Sequence, residues 1–301
     1  MTGPRPQDWL LLGLLVVLWG SAFGLTEVAL RSFSPLQLVT GRLWIGAAIL
    51  LVVVMLRRRS FPRGLRAWMF LSAMAVLGNA LPFFLISWGQ QVISSGLTGI
   101  LMAIMPIVVL FMAHFFLPGE KLTWRRIVGF LLGFGGILIL TGPEALARLR
   151  GEGAALLGQL TVLAGAVCYG VNLIIARRSP RLPADVTAGW VLLGSALLAS
   201  SATLLSGEPW PVAPRADALL AVFALGVLST GLATVVYFRV VARAGATFLS
   251  LINYLIPVYA VLFGAVFLGE HVAGQSLVAL VIILLGVLSS QGRLPVTEKR
   301  R

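Results

Sequence analysis

The chain has 301 residues, of which 59% are apolar and only 11% are charged, and its formal net charge is +13 at pH 7. One water-soluble core of this length cannot bury so much apolar surface, so the composition excludes a soluble globular protein and indicates a membrane protein. The positive charge does not indicate a nucleic-acid-binding protein, because the basic residues cluster at the ends of apolar stretches and no soluble module accompanies them.

Apolar stretches of the length that crosses a bilayer follow one another along the whole chain. A membrane-spanning helix needs roughly 20 such residues, and we find ten stretches between charged or Pro/Gly-rich breaks. The predicted spans 1 to 10 are 9–30, 35–56, 67–91, 95–117, 124–141, 153–176, 184–206, 218–241, 246–268 and 272–292. No cleavage site of small residues follows span 1, which is therefore predicted to be retained. We expect an all-α polytopic membrane protein.

The distribution of basic residues predicts the orientation of these spans. Cytoplasmic segments are enriched in Lys and Arg, and eighteen of the 23 Lys and Arg residues would lie on one side of the membrane. Both termini are therefore predicted to be cytoplasmic. Trp9, Trp68 and Trp124 begin three spans on that side, where indole rings favour the membrane interface and the basic residues would meet anionic lipid heads.

The two halves of the chain repeat at an offset of about 150 residues. The aligned pairs are Trp19-Gly20 with Tyr169-Gly170, Asn79 with Ser229, Gly119-Glu120 with Gly269-Glu270, and Gly136 with Gly286. We predict a first five-helix repeat over 1–145, a second over 146–292 and a basic cytoplasmic tail over 293–301. Five spans per repeat is an odd number, so the second repeat enters the membrane inverted. Inverted repeats are typical of secondary transporters, whose sites lie near the midplane on broken helices.

Two prolines lie halfway along spans 4 and 9. Proline has no N–H to donate, so Pro106 leaves the carbonyl of Met102 without its helical partner and Pro257 leaves that of Asn253. An unmet carbonyl in hydrocarbon costs several kcal/mol, so each bend is expected to face protein, water or a bound molecule. Either proline alone is equally well explained as a packing kink. The matching positions in the two repeats favour a functional role.

Several sequence runs resemble a known transporter family. WGSAFG at 19–24, SSGLTGILMAIMP ending at Pro106, and LPGEKLTWRRIVGFLLGFGGILI are similar to the first half of an EamA-type drug/metabolite transporter, and GATFLSLINYLIP and FLGEHVAGQSLVALVIILLGVL to its second half. The resemblance implies ten helices in two inverted halves around a central cavity lined by spans 1, 3, 4, 6, 8 and 9. It also implies export of amino acids, other metabolites or toxic cations, as in bacterial inner-membrane exporters of aromatic amino acids.

Polar and amphipathic side chains in the middle of those spans mark a candidate substrate pocket. They are Trp19, Asn79, Trp88, Tyr169, Asn172, Tyr237, Asn253, Tyr254 and Tyr259. Amide and phenol groups suit zwitterions or neutral polar molecules, and aromatic faces suit apolar, aromatic or cationic groups. The alternative is structural, with amides bonding between helices and rings filling space.

Glu27 and Arg42 are the two formal charges placed inside spans, toward the outer ends of spans 1 and 2. Ionisable residues within a membrane are functional by default. Both lie near enough to the surface to reach water or each other, so an ion pair that joins the two helices is the favoured interpretation. Glu27 is alternatively a proton-coupling residue, since the other nine acidic residues lie in loops or tails.

Motifs for enzymatic, metal or ATP-driven chemistry do not occur in the sequence. It has no HExxH, GxSxG or GxxxxGK, and His114, His271 and Cys168 do not form a metal-ligand set. We therefore expect no metal, no cofactor and no enzyme activity. The predicted function is a secondary transporter that exports amino acids or related metabolites by alternating access. The alternatives are a broad drug or organic-cation exporter, a channel and an intramembrane enzyme, and the sequence leaves monomer and homodimer open.

Overall fold

The computed structural model describes residues 5–58, 62–116, 123–147, 153–180, 182–249 and 251–291. Within these ranges the chain is helical and contains no strand. In chain order the α-helices are α1 (Pro6–Ala29), α2 (Pro35–Leu56), α3 (Leu65–Ala75), α4 (Leu81–Gly89), α5 (Ser95–Met102), α6 (Met105–Phe116), α7 (Trp124–Ala147), α8 (Ala154–Arg178), α9 (Ala184–Ser206), α10 (Ala216–Ala224), α11 (Ala233–Leu249), α12 (Ile252–Phe267) and α13 (Gly274–Gln291). Two π-helical segments, π1 (Val76–Ala80) and π2 (Leu225–Leu232), join α3 to α4 and α10 to α11.

Length and composition make most of these helices candidates for membrane spans. Among the described residues, seven helical stretches are long and apolar enough to cross a membrane, and three shorter apolar helices accompany them. Each predicted span contains one of these helices. Large apolar side chains such as Leu56 and Leu65, both 78% exposed, cover the outside of the bundle, as expected of a surface in contact with lipid. The predicted all-helical membrane class is confirmed, whereas ten crossings and the side of the termini stay predictions, and the tail 293–301 lies outside the described residues.

The starts of α2 and α5 are fixed by local sequence. Ser34 precedes α2 and exchanges hydrogen bonds with Gln37, the Ser34 N–H donating to Gln37 Oε1 at 3.0 Å. Ser94 precedes α5 and its hydroxyl accepts from the Leu97 N–H at 3.3 Å. Such caps satisfy amide groups that have no partner within the helix. They fix the point at which each helix leaves its loop.

Each helix of one half packs against the same kind of partner as its counterpart in the other half. The corresponding helices α2 and α9, α5 and α12, and α7 and α13 pack against each other. In addition, α1 packs against π2, α11 and α12, while its counterpart α8 packs against π1, α4 and α6. Gly136 and Gly286, which the repeat aligns, both lie in the α7–α13 contact, where an added Cβ would come within 2.6 Å and 2.7 Å of the partner helix. Small residues of this kind let helix backbones approach closely.

Contacts at the helix ends show that α1 and α8 run in opposite directions. We call the side of the bundle where α1 begins the near face and the opposite side the far face. Glu27, in the last turn of α1, contacts the start of α5, so α6 carries the chain back and ends at Phe116 on the near face. The last residue of α8, Arg178, donates a hydrogen bond to the Phe116 carbonyl. Thus α8 ends on the face where α1 begins.

Spans 4 and 9 are both broken, although not in the same way. Span 4 divides into α5 and α6 at Ala103 and Ile104, whose N–H groups donate to the carbonyls three residues earlier at 3.1 and 3.2 Å. Pro106 is the second residue of α6. In span 9, Pro257 lies inside α12, so that helix continues through the proline. Two interruptions precede that proline: the backbone is non-helical at Gly245, whose φ of 85° suits glycine, and α12 begins only at Ile252. The predicted start of span 9 at 246 directly follows the first of them.

Candidate substrate site

The two π-helical segments lie at equivalent positions of the repeat. π1 contains Asn79 and π2 contains Ser229, the pair that the sequence aligned. A π-helical turn widens the hydrogen-bond ladder, and such turns occur frequently at functional sites. Both segments lie in the middle of spans 3 and 8, which the family resemblance assigns to the cavity.

π2 holds the side chain of Trp19 on α1. The Trp19 Nε1–H donates to the Ser229 carbonyl at 3.2 Å, and the Ser229 hydroxyl donates to the Leu18 carbonyl at 2.8 Å. The Trp19 ring also contacts the Tyr237 ring, with centroids 5.8 Å apart. These contacts fix the indole between spans 1 and 8.

Tyr259 of α12 also packs against α1. Its hydroxyl lies 3.2 Å from the Ser21 hydroxyl, and its ring covers Gly20, where an added Cβ would lie only 2.4 Å from Tyr259 Cδ1. We call Trp19, Tyr237 and Tyr259 the aromatic cluster. The structure thus gathers three of the predicted pocket residues around one turn of α1.

Asn172 of α8 faces π1. Its amide group lies over Gly78, where an added Cβ would approach Asn172 Nδ2 to 2.8 Å. The Asn172 Oδ1 is buried and has no hydrogen-bond partner among the described residues. Asn79 is the next residue of π1 and is half-buried. A buried amide oxygen without a donor costs about 1–3 kcal/mol, so this position is suited to a bound donor.

Arg42 of α2 does not form the predicted ion pair with Glu27. Its Nε–H and Nη2–H groups donate to the Thr230 hydroxyl of π2 at 3.3 and 3.2 Å. Its guanidinium lies over the Phe83 ring of α4, 3.9 Å from the centroid, and Tyr169 of α8 is an electrostatic neighbour. The side chain reaches inward to spans 3, 6 and 8 rather than outward, so it lies too far inside the bundle to join α1 at the surface. We call Arg42, Phe83, Tyr169 and Thr230 the polar junction.

Glu27 instead belongs to a group of residues on the far face. The Ser95 N–H donates to Glu27 Oε2 at 3.0 Å and to Glu270 Oε1 at 2.8 Å. Glu270 also accepts from the Ser95 hydroxyl and from the Gly96 N–H, the latter at 2.9 Å. The carboxylates therefore meet the unpaired amides at the start of α5, where the helix dipole favours negative charge. Burial raises the pKa of Glu270, but the Ser95 and Gly96 donors outweigh burial and hold that pKa below its usual range.

The remaining predicted residues lie apart from these clusters. Trp88 is 37% exposed near the end of α4, Tyr254 packs beside Ile104 and Ile107, and Asn253 is half-buried in the first turn of α12. A cavity of about 580 Å³ opens on the near face between α1 and α11, lined by Gln7, Leu10, Leu11, Leu14, Arg239 and Arg243. It contains none of the predicted substrate-binding residues.

Sequence reasoning missed Glu270, Ser95, Thr230 and Phe83. Glu270 had a signal, because the Gly-Glu pair occurs at equivalent places in both halves. Its counterpart Glu120 lies outside the described residues. Thr230 adjoins the aligned Ser229, whereas an apolar residue such as Phe83 carries no signal in an apolar chain.

Comparison with known proteins reveals full-length similarity to transporters. The model of the family described as the EamA-like transporter family matches residues 7–142 and 156–290. The uncharacterized transporter YoaV of Bacillus subtilis (strain 168) is 26% identical over 287 residues, 92% of this chain and 94% of that protein. The uncharacterized inner membrane transporter YedA of Escherichia coli (strain K12) is 24% identical over 277 residues, 91% of this chain and 87% of YedA.

Two further similarities differ in their extent. The aromatic amino acid exporter YddG of Ancylobacter novellus is 35% identical over 159 residues, which is 52% of this chain and 52% of the exporter. A crystal structure with 23% sequence identity has a TM-score of 0.67 and covers 95% of this chain and 98% of its own. That likeness concerns the fold.

Proposed function

We propose that this chain, which belongs to the EamA-like transporter family, exports small metabolites across a bacterial inner membrane as a secondary transporter. Amino acids, aromatic ones included, are the substrates we favour. Two relatives support this proposal by their names, one an aromatic amino acid exporter and the other an inner membrane transporter. The proposal includes ten membrane-spanning helices in two inverted halves, with both termini in the cytoplasm.

The observation that carries the proposal is the pair of π-helical segments at equivalent positions of the two repeats. π1 packs against Asn172, and π2 receives Trp19 and Arg42. Each segment lies in the middle of a span and meets polar groups from another span. A purely structural bundle in lipid has little need for irregular helices there, whereas transporters use non-regular backbone where it lines a cavity.

Alternating access requires that one face be closed while the other opens. On the far face, Glu27 and Glu270 join α1, the start of α5 and the segment after α12 through Ser95. Opening this face would break those hydrogen bonds. The breaks at Ala103–Ile104 and before α12 allow the halves of spans 4 and 9 to change angle. A substrate that binds one state more tightly would shift the exchange between the states.

The test is export from proteoliposomes that contain the purified protein. The vesicles are loaded with a panel of amino acids and organic cations, because the aromatic cluster alone would also suit a cation. We expect efflux that saturates with substrate concentration and decreases in Asn79→Leu and Asn253→Leu variants. Single-channel currents would identify a channel instead, and unaltered export in both variants would place the pocket elsewhere.

A further inference from the structure

We infer that Arg42 binds the carboxylate of the substrate, so that the cargo is an organic acid or a zwitterionic amino acid rather than an organic cation. This inference rests on the proposed transport function and narrows the substrate class of the same site. It gives Arg42 a role in binding in place of the predicted ion pair with Glu27.

Arg42 is buried among neutral groups. The side chain is 94% buried, since the residue is 6% exposed, and its contacts are the neutral Thr230 hydroxyl and Phe83 ring. Ion pairs with carboxylates are formed by Arg31, Arg57, Arg215 and Arg243. Arg42 forms none with a described residue. A buried cation without a counter-ion costs several kcal/mol, and a bound carboxylate would offset this cost.

The guanidinium group of Arg42 has N–H donors that it does not use. Arginine presents five N–H donors in a planar fork that matches a carboxylate. Only Nε and Nη2 donate to Thr230, and the Nη1 group makes no hydrogen bond to a described residue. The Thr230 hydroxyl itself donates to the Leu225 carbonyl at 2.9 Å, so it is held in place as an acceptor. Unused donors remain on a group that is already oriented.

Arg42 lies between several spans. Its guanidinium contacts span 3 through Phe83 and span 8 through Thr230. The phenol of Tyr169, in span 6, lies near enough to interact with its charge. The cation therefore lies inside the bundle rather than on its outer surface.

Asn172 offers an acceptor for an ammonium group. Asn172 lies three residues after Tyr169, so both lie on one side of α8, separated by about 4.5 Å along its axis. The buried Asn172 Oδ1 has no donor among the described residues, and an ammonium supplies N–H groups. The Arg42 guanidinium can donate to a carboxylate and the Asn172 amide oxygen can accept from an ammonium, so the two side chains are chemically complementary to the two charged groups of a zwitterion. The Phe83 ring offers an apolar face beside them.

The competing explanation is that Arg42 serves to hold α2 against π2. The packing of these two elements shows that they do not need a charge to stay together. Close contacts between α2 and π2 are made by glycines: an added Cβ at Gly46 would lie 2.5 Å from Thr230 Cγ2, and one at Gly226 would lie 2.5 Å from Ile45 Cβ. These contacts hold α2 against π2 without a charge. The experiment must therefore measure selectivity rather than activity alone.

The experiment compares L-phenylalanine with one probe that lacks its carboxylate and one that lacks its ammonium. Proteoliposomes containing the full chain are assayed for efflux of L-phenylalanine, L-phenylalaninamide and phenylpropionate, and competition is measured among them. For the wild type we expect efflux of L-phenylalanine, competition by phenylpropionate, and at least a tenfold preference for L-phenylalanine over the amide. Arg42→Gln should lose that preference, and Arg42→Lys should retain part of it. Arg31→Gln, at an exposed arginine, is the matched control and should keep the wild-type preference.

The outcomes separate the inference from the proposed function. Equal transport of L-phenylalanine and its amide by the wild type, or an unchanged preference in Arg42→Gln, would overturn the role of Arg42. A structural role would lower the flux of both probes equally and leave their ratio unchanged, which also counts against the inference. Saturable flux of organic cations alone would overturn the inference while transport stands. The absence of saturable flux for every probe, cations included, would overturn both.

Discussion

The Ser95 N–H donates to the Glu270 carboxylate at 2.8 Å, across 175 positions of the chain. The Gly96 N–H donates to the other oxygen of the same carboxylate. Glycines make room for it, because an added Cβ at Gly264 would lie 2.4 Å from Glu270 Oε2 and one at Gly96 would lie 2.9 Å from it. One loop carboxylate thus closes the start of α5 on the far face.

Replacing Glu270 should weaken that closure. Glu270→Gln keeps the size of the side chain but removes the charge that the α5 amides stabilise, and hydrogen bonds to charged groups contribute about 1.5–3 kcal/mol. We expect a lower midpoint of thermal unfolding in detergent, with a loss of stability of that order. Glu208→Gln, on an exposed loop residue, is the control. An unchanged midpoint would mean that the far face is held by other contacts.

The effect of Glu270 on stability should depend on pH. Its pKa is lowered from the ordinary 4.5 in the folded protein, so the folded state favours the ionised form. The stabilising contribution is therefore fully present above about pH 4.5 and is lost as pH falls through the lowered folded pKa. The difference in unfolding midpoint between wild type and Glu270→Gln should shrink below that pH. A difference that grows on acidification would contradict this assignment.

Glu27 is expected to act differently from Glu270, although both accept a hydrogen bond from the Ser95 N–H. Two carboxylates at one donor repel each other, so Glu27→Gln should leave the unfolding midpoint unchanged or raise it. If Glu27 carries the proton in coupled transport, the variant should lose accumulation driven by a pH gradient and keep downhill exchange. Accumulation and downhill exchange are both measured in the same proteoliposomes. Accumulation that persists in the variant would remove Glu27 from coupling.

Much of the scaffold could be predicted from the sequence, because it depends on local and periodic signals. Apolar length locates the helices, and the repeat identifies Asn79 and Ser229 as equivalent, the two positions at which the structure has π-helical segments. The candidate site was harder to predict from the sequence. Arg42 was predicted to lie near the membrane surface because it is close to the outer end of span 2. Its long side chain instead reaches Thr230 and Phe83. Which face of a uniformly apolar helix points inward depends on packing that periodicity does not encode.

The same reason applies to the predicted pocket. Nine aromatic and amide residues were predicted to form one site, and this stays a prediction: Trp19, Tyr237 and Tyr259 pack around α1, and Asn172 faces π1. Tyrosine and tryptophan occur both in binding sites and in packing contacts. The sequence identifies the residue type, and only the positions of neighbouring helices decide between these roles.

Gly20 provides a test of the aromatic cluster. A Cβ there would lie 2.4 Å from the Tyr259 ring, so Gly20→Ala should displace Tyr259 and break its contact with Ser21. Overpacking of this kind costs about 1–3 kcal/mol, and we expect lower stability and slower export. Gly13→Ala is a matched control on the same helix, because no atom lies within 4 Å of its added Cβ. Equal behaviour of the two variants would show that the Tyr259 contact is dispensable.

Asn172 should show a trade-off between stability and binding. Its Oδ1 is buried without a donor among the described residues, so Asn172→Ala removes a group that costs free energy in the empty site. We expect a thermal stability equal to or above that of the wild type, together with at least tenfold weaker apparent affinity for an amino-acid substrate. Ser201→Ala, at an exposed residue whose hydroxyl donates within its own helix, should leave that affinity unchanged. A packing role for Asn172 predicts instead that Asn172→Ala lowers the unfolding midpoint. A clear drop in that midpoint with unchanged affinity would therefore show that the amide bonds between helices and not to a substrate.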